Sequence, residues 1–533
     1  MTFISLTFFL FVATLVLAYY LTPKRFRWIV LLVGSYAFYW TNSAWLVLVL
    51  FGTTLVTYLI GLWIQAVSDR NQAYLKENKG TLSREEKKQF KEKGKKTARR
   101  ILGLGILVDL GALLFLKYFN FFGSNINSVL SRLGRAQAVP TLNLLLPLGI
   151  SFYTLQAIAY MVDIYRGKTQ ADRNPAKFML YMSFFPQIVQ GPIPRHNRLA
   201  QQLYEGHDFD YTRLCYGAQL ALWGLFKKLV ISERFAIPVN YLFGNYASYT
   251  GPIQLFAGML YGLQVYADFS GGMYIGRGVA QMLGIGLELN FEQPYFSTSV
   301  EDFWRRWHIT MGNWMKDYIF YPLSMSKAFT SLGRACRKRL GQYVGNRIPP
   351  FIAMFIVYVT VGFWHGASWN FIAYGIWNGL FIMTGILLDG VYAKVRQLLG
   401  MKDDAASLRL FRVVRTFVII SFGRLFSRAE NLTAALDMFR RAFTHWKDIT
   451  FLTNGTLLNT GLNTANWFVL CAFLLLLLWV DVQHERKVSL RDAFARQPLI
   501  FRWAIYIGAV LLILVFGYYG PSYNSADFIY QQF

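Results

Sequence analysis

Stretches of about twenty predominantly apolar residues recur from one end of this chain to the other, and that is the length a helix needs to cross about 30 Å of hydrocarbon. The clearest run from Phe3 to Leu21, Ala44 to Ala66, Ile101 to Phe122, Phe351 to Trp364, Phe371 to Leu388, Phe411 to Phe426, Trp467 to Val482 and Ile505 to Tyr519. Others, Trp28 to Trp40, Leu144 to Tyr160, Phe178 to Val189, Leu214 to Ile231, Leu255 to Tyr266 and Ile275 to Leu287, are short or interrupted by Gly and Pro. Interrupted pieces read as half-helices or re-entrant segments, which are tolerated only where protein or a wet cavity covers their backbone. The pattern predicts an all-α polytopic membrane protein with about 11–13 full or partial transmembrane helices. Composition agrees: 15% of the 533 residues are charged, against about 25% in a soluble domain. The apolar segments leave few polar gaps long enough for an independent domain, so residues 1–533 read as one membrane domain.

Charge placement predicts topology. No basic residue precedes the first segment and no small-residue cleavage site closes it, so it reads as a retained helix and not as a secretory signal. Lys24-Arg25-Phe26-Arg27 comes next, and the positive-inside bias then places the N-terminus outside the cytoplasm. Two crossings later, residues 68–100 hold twelve Lys or Arg against five acidic residues, which marks a basic cytoplasmic loop. Lys327 to Arg347 carries six basic residues and no acid, and Gln483 to Arg502 is also net basic, so the tail at 518–533 is expected outside. A net charge of +26 raises the question of nucleic acid. The charge sits in loops beside apolar helices, however, where attraction to anionic lipid headgroups is the ordinary explanation.

The three cysteines, Cys215, Cys336 and Cys471, are far apart and form no CxxC pair, which argues against a zinc cage or redox couple. Cys336, in a basic run, reads as a free thiol near a membrane surface. No P-loop, HExxH or GxSxG motif is present. The candidates for chemistry are therefore histidines: of His196, His207, His308, His365, His445 and His484, four fall in or near predicted loops.

His365 lies in Val361-Gly-Phe-Trp-His-Gly-Ala-Ser-Trp-Asn370, at the junction of two apolar segments. Ionisable groups at membrane depth are costly and usually face a polar interior or a pathway. A shielded imidazole favours its neutral, proton-accepting form, which a general base for a hydroxyl requires. Gly362 and Gly366, lacking side chains, would let a substrate approach the ring. The competing reading is a histidine that simply hydrogen-bonds between helices. His308 belongs to Ser299-Val-Glu-Asp-Phe-Trp-Arg-Arg-Trp-His-Ile-Thr-Met-Gly-Asn-Trp-Met-Lys-Asp-Tyr318. Ser299 and Asp302 have capping-box spacing, and Trp304, Trp307, His308, Met311, Met315 and Tyr318 recur at helical intervals, which predicts an amphipathic helix over 299–321. Taken alone, a helix rich in Trp and Arg reads first as one lying at the bilayer interface and only second as part of a site.

These blocks resemble the signature regions of the membrane-bound O-acyltransferase (MBOAT) superfamily, especially its AlgI-like bacterial branch, named for alginate O-acetylation. The resemblance runs along most of the chain. It is carried by Ser151-Phe-Tyr-Thr-Leu-Gln-Ala-Ile-Ala-Tyr-Met-Val-Asp-Ile-Tyr-Arg166, Phe184-Phe-Pro-Gln-Ile-Val-Gln-Gly-Pro-Ile-Pro-Arg195 and Asp268-Phe-Ser-Gly271. The two histidine blocks and the tail Phe528-Ile-Tyr530 complete it. The resemblance implies a ring of helices around a thin central tunnel, with His365 catalytic and His308 in the second signature position. Trp364, Trp369, Asn370, Asp268, Trp307 and Arg305 are the expected substrate contacts, and nearby donors such as Asn370, Trp369 or backbone amides are the candidates for stabilising the oxyanion. After Asp268-Phe-Ser-Gly271 the chain reads Gly-Met-Tyr274, where alginate-type members are expected to carry an acidic residue, and this leaves the substrate open.

By the same resemblance the chain is expected to be an acyltransferase of a bacterial inner or plasma membrane. An acyl thioester, acetyl-CoA or an acyl carrier protein, is the expected donor on the cytoplasmic side. No bound cofactor and no metal are expected. The acyl group, expected to be acetyl, would pass to a hydroxyl of an extracellular polysaccharide, to an intermediate carrier or to an extracytoplasmic acyltransferase. Two other readings stand beside this one: a D-alanyl transferase for teichoic acid of the DltB type, and a transporter or flippase without chemistry, since broken helices are a transporter trait.

Overall fold

The computed structural model describes residues 1–447 and 449–519. Within them the chain is helix, turn and loop, apart from one isolated antiparallel bridge between Phe291 and Trp307. Among the described residues, seven helical stretches are long and apolar enough to cross a bilayer: Lys24–Glu77, Arg84–Arg132, Tyr211–Gly244, Lys327–His365, Trp369–Leu398, Thr464–Glu485 and Leu499–Phe516. Leu6–Leu21 is a shorter apolar helix. Large apolar side chains such as Ile500, Trp503, Leu511 and Val515 stand exposed along the last stretch, a surface suited to lipid and not to water. The chain is a multi-pass, all-α membrane protein. The tail motif Phe528-Ile-Tyr530 lies outside the described residues.

Two compact units are present, Met1–Ala218 with Gly276–Glu288, and Gln219–Ile275 with Leu289–Phe533. In the first, helices Val47–Glu77 and Arg84–Leu113 pair and pack on Ile150–Tyr165. At 31 residues, the first of these is roughly 46 Å long at 1.5 Å per residue, well beyond the hydrocarbon layer. Most of the basic 68–100 segment therefore continues these helices past their apolar portions. The Ser83 hydroxyl accepts from the Glu86 amide at 3.2 Å while the Glu86 carboxylate accepts from the Ser83 amide at 2.8 Å, a complete capping box that starts the second helix.

The second unit holds a π-helical segment, Phe226–Ser232, that runs directly into helix Glu233–Gly244. Lys227 and Lys228 fall inside the π segment and are buried. Helix Pro252–Met282 is continuous over 31 residues, whereas the sequence predicts two broken pieces, Leu255 to Tyr266 and Ile275 to Leu287. The polar Asp268-Phe-Ser-Gly271 stretch lowers the local hydropathy without breaking the helix. Lys228 neutralises Asp268, and the Ser270 hydroxyl donates back to the Tyr266 carbonyl at 2.5 Å.

The amphipathic helix expected over 299–321 is not one helix. Val300–Arg306 and Ile309–Met315 are separate, because Trp307 is extended and pairs with Phe291 while His308 turns into the left-handed region at φ 50°. Ser299 caps the first piece as predicted, at 3.0 Å from the Asp302 amide, but the Asp302 carboxylate accepts from the Thr298 amide instead of from Ser299. Helix Lys327–His365 bends at Gly341 (φ 76°) and then packs closely on Trp369–Leu398.

Candidate active site

His365 is the last residue of its helix and His308 is the N-cap of Ile309–Met315. Both belong to the second unit. The Trp364 ring stands between them, 5.8 Å from the His308 ring and 5.1 Å from that of His365. His308 is 1% exposed and His365 6%. Burial among aromatic rings holds the His308 imidazole far below its usual value, to about 3, so it is uncharged at any physiological pH.

The left-handed turn at His308 is held from outside its own motif. Asn290 accepts from the Ile309 amide through its carbonyl at 3.1 Å. Its carboxamide oxygen accepts from the Thr310 amide at 2.8 Å and the Thr310 hydroxyl at 2.9 Å. A positive φ in a bulky residue persists only where the surroundings enforce it, and such residues cluster at functional sites. Phe269 closes the other side, its ring 4.8 Å from that of His308.

From His365 the constellation continues. The Tyr374 ring meets it edge-on at 5.8 Å, Arg424 Nη1 donates to the Tyr374 hydroxyl at 3.0 Å, and the same guanidinium lies 4.6 Å over the Trp307 ring. His308, Trp364, His365, Tyr374, Arg424 and Trp307 thus form a continuous chain of side-chain contacts. Sequence reasoning misses both Tyr374 and Arg424. Arg424 carries a readable signal, a charge inside the apolar run Phe411 to Phe426, by the same depth argument that selects His365.

Other predicted contacts fall elsewhere. Arg305 is 68% exposed at its side chain and pairs with Asp302 one turn away, so it does not join the histidines. Trp369 is 53% exposed. Trp307 is a packing residue, stacked on Phe303 at 5.3 Å and edge-on to Phe291 at 5.0 Å. Asp268 is consumed by a buried triad in which Lys228 Nζ lies 2.6 Å from Asp268 and 2.5 Å from Glu233.

Asn370 is buried, but its amide nitrogen donates to the Phe426 carbonyl at 3.2 Å and the Ala429 carbonyl at 3.0 Å. Because both partners are acceptors, the side-chain orientation is fixed, and the amide is committed to tying two helices together. It is not an oxyanion donor in this arrangement. The glycines beside His365 also serve packing. A Cβ at Gly362 would come within 2.5 Å of the Phe371 carbonyl oxygen, and one at Gly366 within 2.2 Å of the Phe371 ring. The space these glycines leave is filled by the neighbouring helix and not by a substrate.

The second unit also holds a cavity of about 670 Å³ lined by Thr298, Ser299, Phe381, Arg396, Arg412 and Arg415, among others. Arg396 and Arg412 both pair with Asp403 there.

Two buried histidines shielded by aromatic rings thus meet in a polytopic helical protein. The family model for the membrane-bound O-acyltransferase family matches residues 170–334. The chain is 31% identical over 494 residues to the probable alginate O-acetylase AlgI of Pseudomonas syringae pv. tomato, covering 92% of this chain and 84% of that one. It is 32% identical over 439 residues to the probable alginate O-acetylase AlgI of Azotobacter vinelandii, covering 82% and 76%. A teichoic acid D-alanyltransferase of Streptococcus thermophilus is more distant, 25% identical over 280 residues, 51% of this chain and 64% of that one. The chain belongs to the membrane-bound O-acyltransferase family, in its AlgI-like branch, and is an acyltransferase.

Proposed function

We propose that the protein transfers an acetyl group from a cytoplasmic thioester, acetyl-CoA or an acyl carrier protein, towards a hydroxyl of an extracellular polysaccharide or an intermediate carrier. His365 acts as the general base on the acceptor hydroxyl, and neutral His308 positions the reacting partners. The observation that carries this reading is the placement of both signature histidines on one tryptophan, at 5.8 and 5.1 Å, in a chain whose likeness to alginate O-acetylases extends over most of its length.

The tunnel implied by the family resemblance would bring donor and acceptor to His365 from opposite faces. The basic 68–100 segment supports a cytoplasmic position for that end of its helices, with both termini outside and the whole chain acting as one domain of a bacterial inner membrane. Lys and Arg on that side would attract phosphate-bearing donors.

The test is loss and recovery of surface esters. A strain lacking the chain is complemented with wild type or His365→Ala, and cell-surface polymers are analysed by mass spectrometry. Acetyl esters should return with wild type and stay absent with the variant, since general-base help is worth about 10²–10⁴ in rate. D-alanyl esters in their place would turn the assignment to teichoic acid. Full ester recovery by a well-inserted His365→Ala would remove His365 from the chemistry.

A further inference from the structure

Resting on His365 as the base, we propose that Tyr374, polarised by Arg424, donates the hydrogen bond that stabilises the oxyanion of acyl transfer. Arg424 is buried in the second unit, and its contacts with Tyr374 and Trp307 place a fixed positive charge one residue from the base. A guanidinium has donors and no acceptor. In the 3.0 Å bond between Arg424 Nη1 and Tyr374, the phenol oxygen must accept. The phenol's own hydrogen is therefore directed away from Arg424. Accepting from a cation also strengthens the phenol as a donor.

Three neighbours show why Tyr374 is the group selected. Tyr295 also lies beside Arg424, but its hydroxyl donates to the Gly262 carbonyl at 2.6 Å. The amides of Asn370 and Asn378 are bound to backbone carbonyls, that of Asn378 to Tyr374 itself at 2.8 Å. Among the described residues, Tyr374 combines an edge-on approach to His365 with a hydroxyl that accepts from a cation.

In the step this serves, His365 takes the proton from the acceptor hydroxyl, and that oxygen forms a bond to the thioester carbonyl carbon. The carbonyl π pair moves onto oxygen, where the Tyr374 hydroxyl meets it. The pair then returns, the C–S bond breaks, and the proton held by His365 passes to the departing thiolate. Alcohol and thioester become ester and thiol, with no further reactant. Tyr374 is the catalytic residue of the pair, and Arg424 is a positioning residue acting through it.

The test uses membranes from the complemented strain, radiolabelled acetyl-CoA as donor, and ester label on the endogenous polymers as readout. Tyr374→Phe should lower kcat by about 10²–10³, the usual effect of losing one oxyanion donor, with little change in KM. Arg424→Lys should retain more activity than Arg424→Gln. Incorporating 3-fluorotyrosine and 3,5-difluorotyrosine at position 374 keeps the hydroxyl and its packing, so it bypasses any folding defect. The rate should rise with phenol acidity while the phenol stays protonated, a trend that a merely structural hydroxyl would not produce. Wild-type kcat in a folded Tyr374→Phe variant, or rates indifferent to fluorination, overturns the inference while an inactive His365→Ala leaves the base assignment standing. Full activity in His365→Ala, or no label from wild-type membranes with either acetyl-CoA or acetylated acyl carrier protein as the labelled donor, overturns the functional reading itself and the inference with it.

Discussion

Lys228 Nζ lies 2.6 Å from Asp268 Oδ1, where neither side chain is more than 2% exposed. Glu233 approaches the same ammonium at 2.5 Å. The ammonium thus separates two carboxylates in a place where water cannot screen them. Removing one member of a buried ionic group leaves the others uncompensated and costs about 3–5 kcal/mol. Lys228→Met should therefore give a chain that inserts poorly or melts far earlier in detergent. Lys228→Met combined with Asp268→Asn and Glu233→Gln should recover most of that loss. Equal melting of wild type and the single variant would show that the triad carries little stability.

Acid should act through His308. Its native ring resists protonation down to about pH 3, while an unfolded histidine titrates near 6.5. Above pH 6.5 both states are neutral and the native state is unaffected. As pH falls from 6.5 towards 3 the unfolded chain gains a proton that the native chain refuses, and stability declines by up to about 1.4 kcal/mol per pH unit. Melting temperatures between pH 7 and pH 4.5 should fall more steeply for wild type than for His308→Gln. Parallel slopes would mean that the ring is accessible to protons.

Gly362→Ala separates packing from access. With the added Cβ only 2.5 Å from a backbone oxygen, the two helices must move apart, so the variant should lose folded protein and not activity alone. A variant with normal melting and impaired transfer would restore Gly362 to a role beside the substrate.

Arg305→Ala should be nearly silent. Its side chain is exposed and its partner Asp302 also pairs with Arg306, and exposed ion pairs contribute about 0–1 kcal/mol. Ester transfer within about twofold of wild type is expected from that surface position. A loss comparable to that of His365→Ala would give Arg305 a place in binding.

The all-α, multi-pass class is legible because lipid leaves a long-range mark on sequence: apolar runs of fixed length. The two histidines are legible because each is a titratable group among apolar or aromatic residues. The single amphipathic helix over 299–321 is a misreading because periodicity registers spacing but not a partner. Trp307 leaves the helix to pair with Phe291, and nothing within the motif announces that bridge. Asn370 misleads for a similar reason: an amide beside a histidine looks available until the carbonyls of Phe426 and Ala429, more than fifty residues on, arrive to occupy it. Lys227, Lys228 and Arg424 are signalled by charge inside apolar runs, and Tyr374 by nothing in its local pattern.

The grip of Asn290 on the backbone at Ile309 and Thr310 has a consequence for anyone moving this chemistry elsewhere. Grafting the stretch from Ser299 to Met315 onto another helical scaffold would transplant the imidazole without the instruction that aims it. Left to its own preferences, such a segment would relax into the uninterrupted helix its periodicity favours and swing the ring out of line with its counterpart. The smallest portable unit is therefore the pair of segments, Leu289 to Phe291 together with Arg306 to Thr310, and Asn290→Ala should loosen the site as thoroughly as damage to the histidine motif itself.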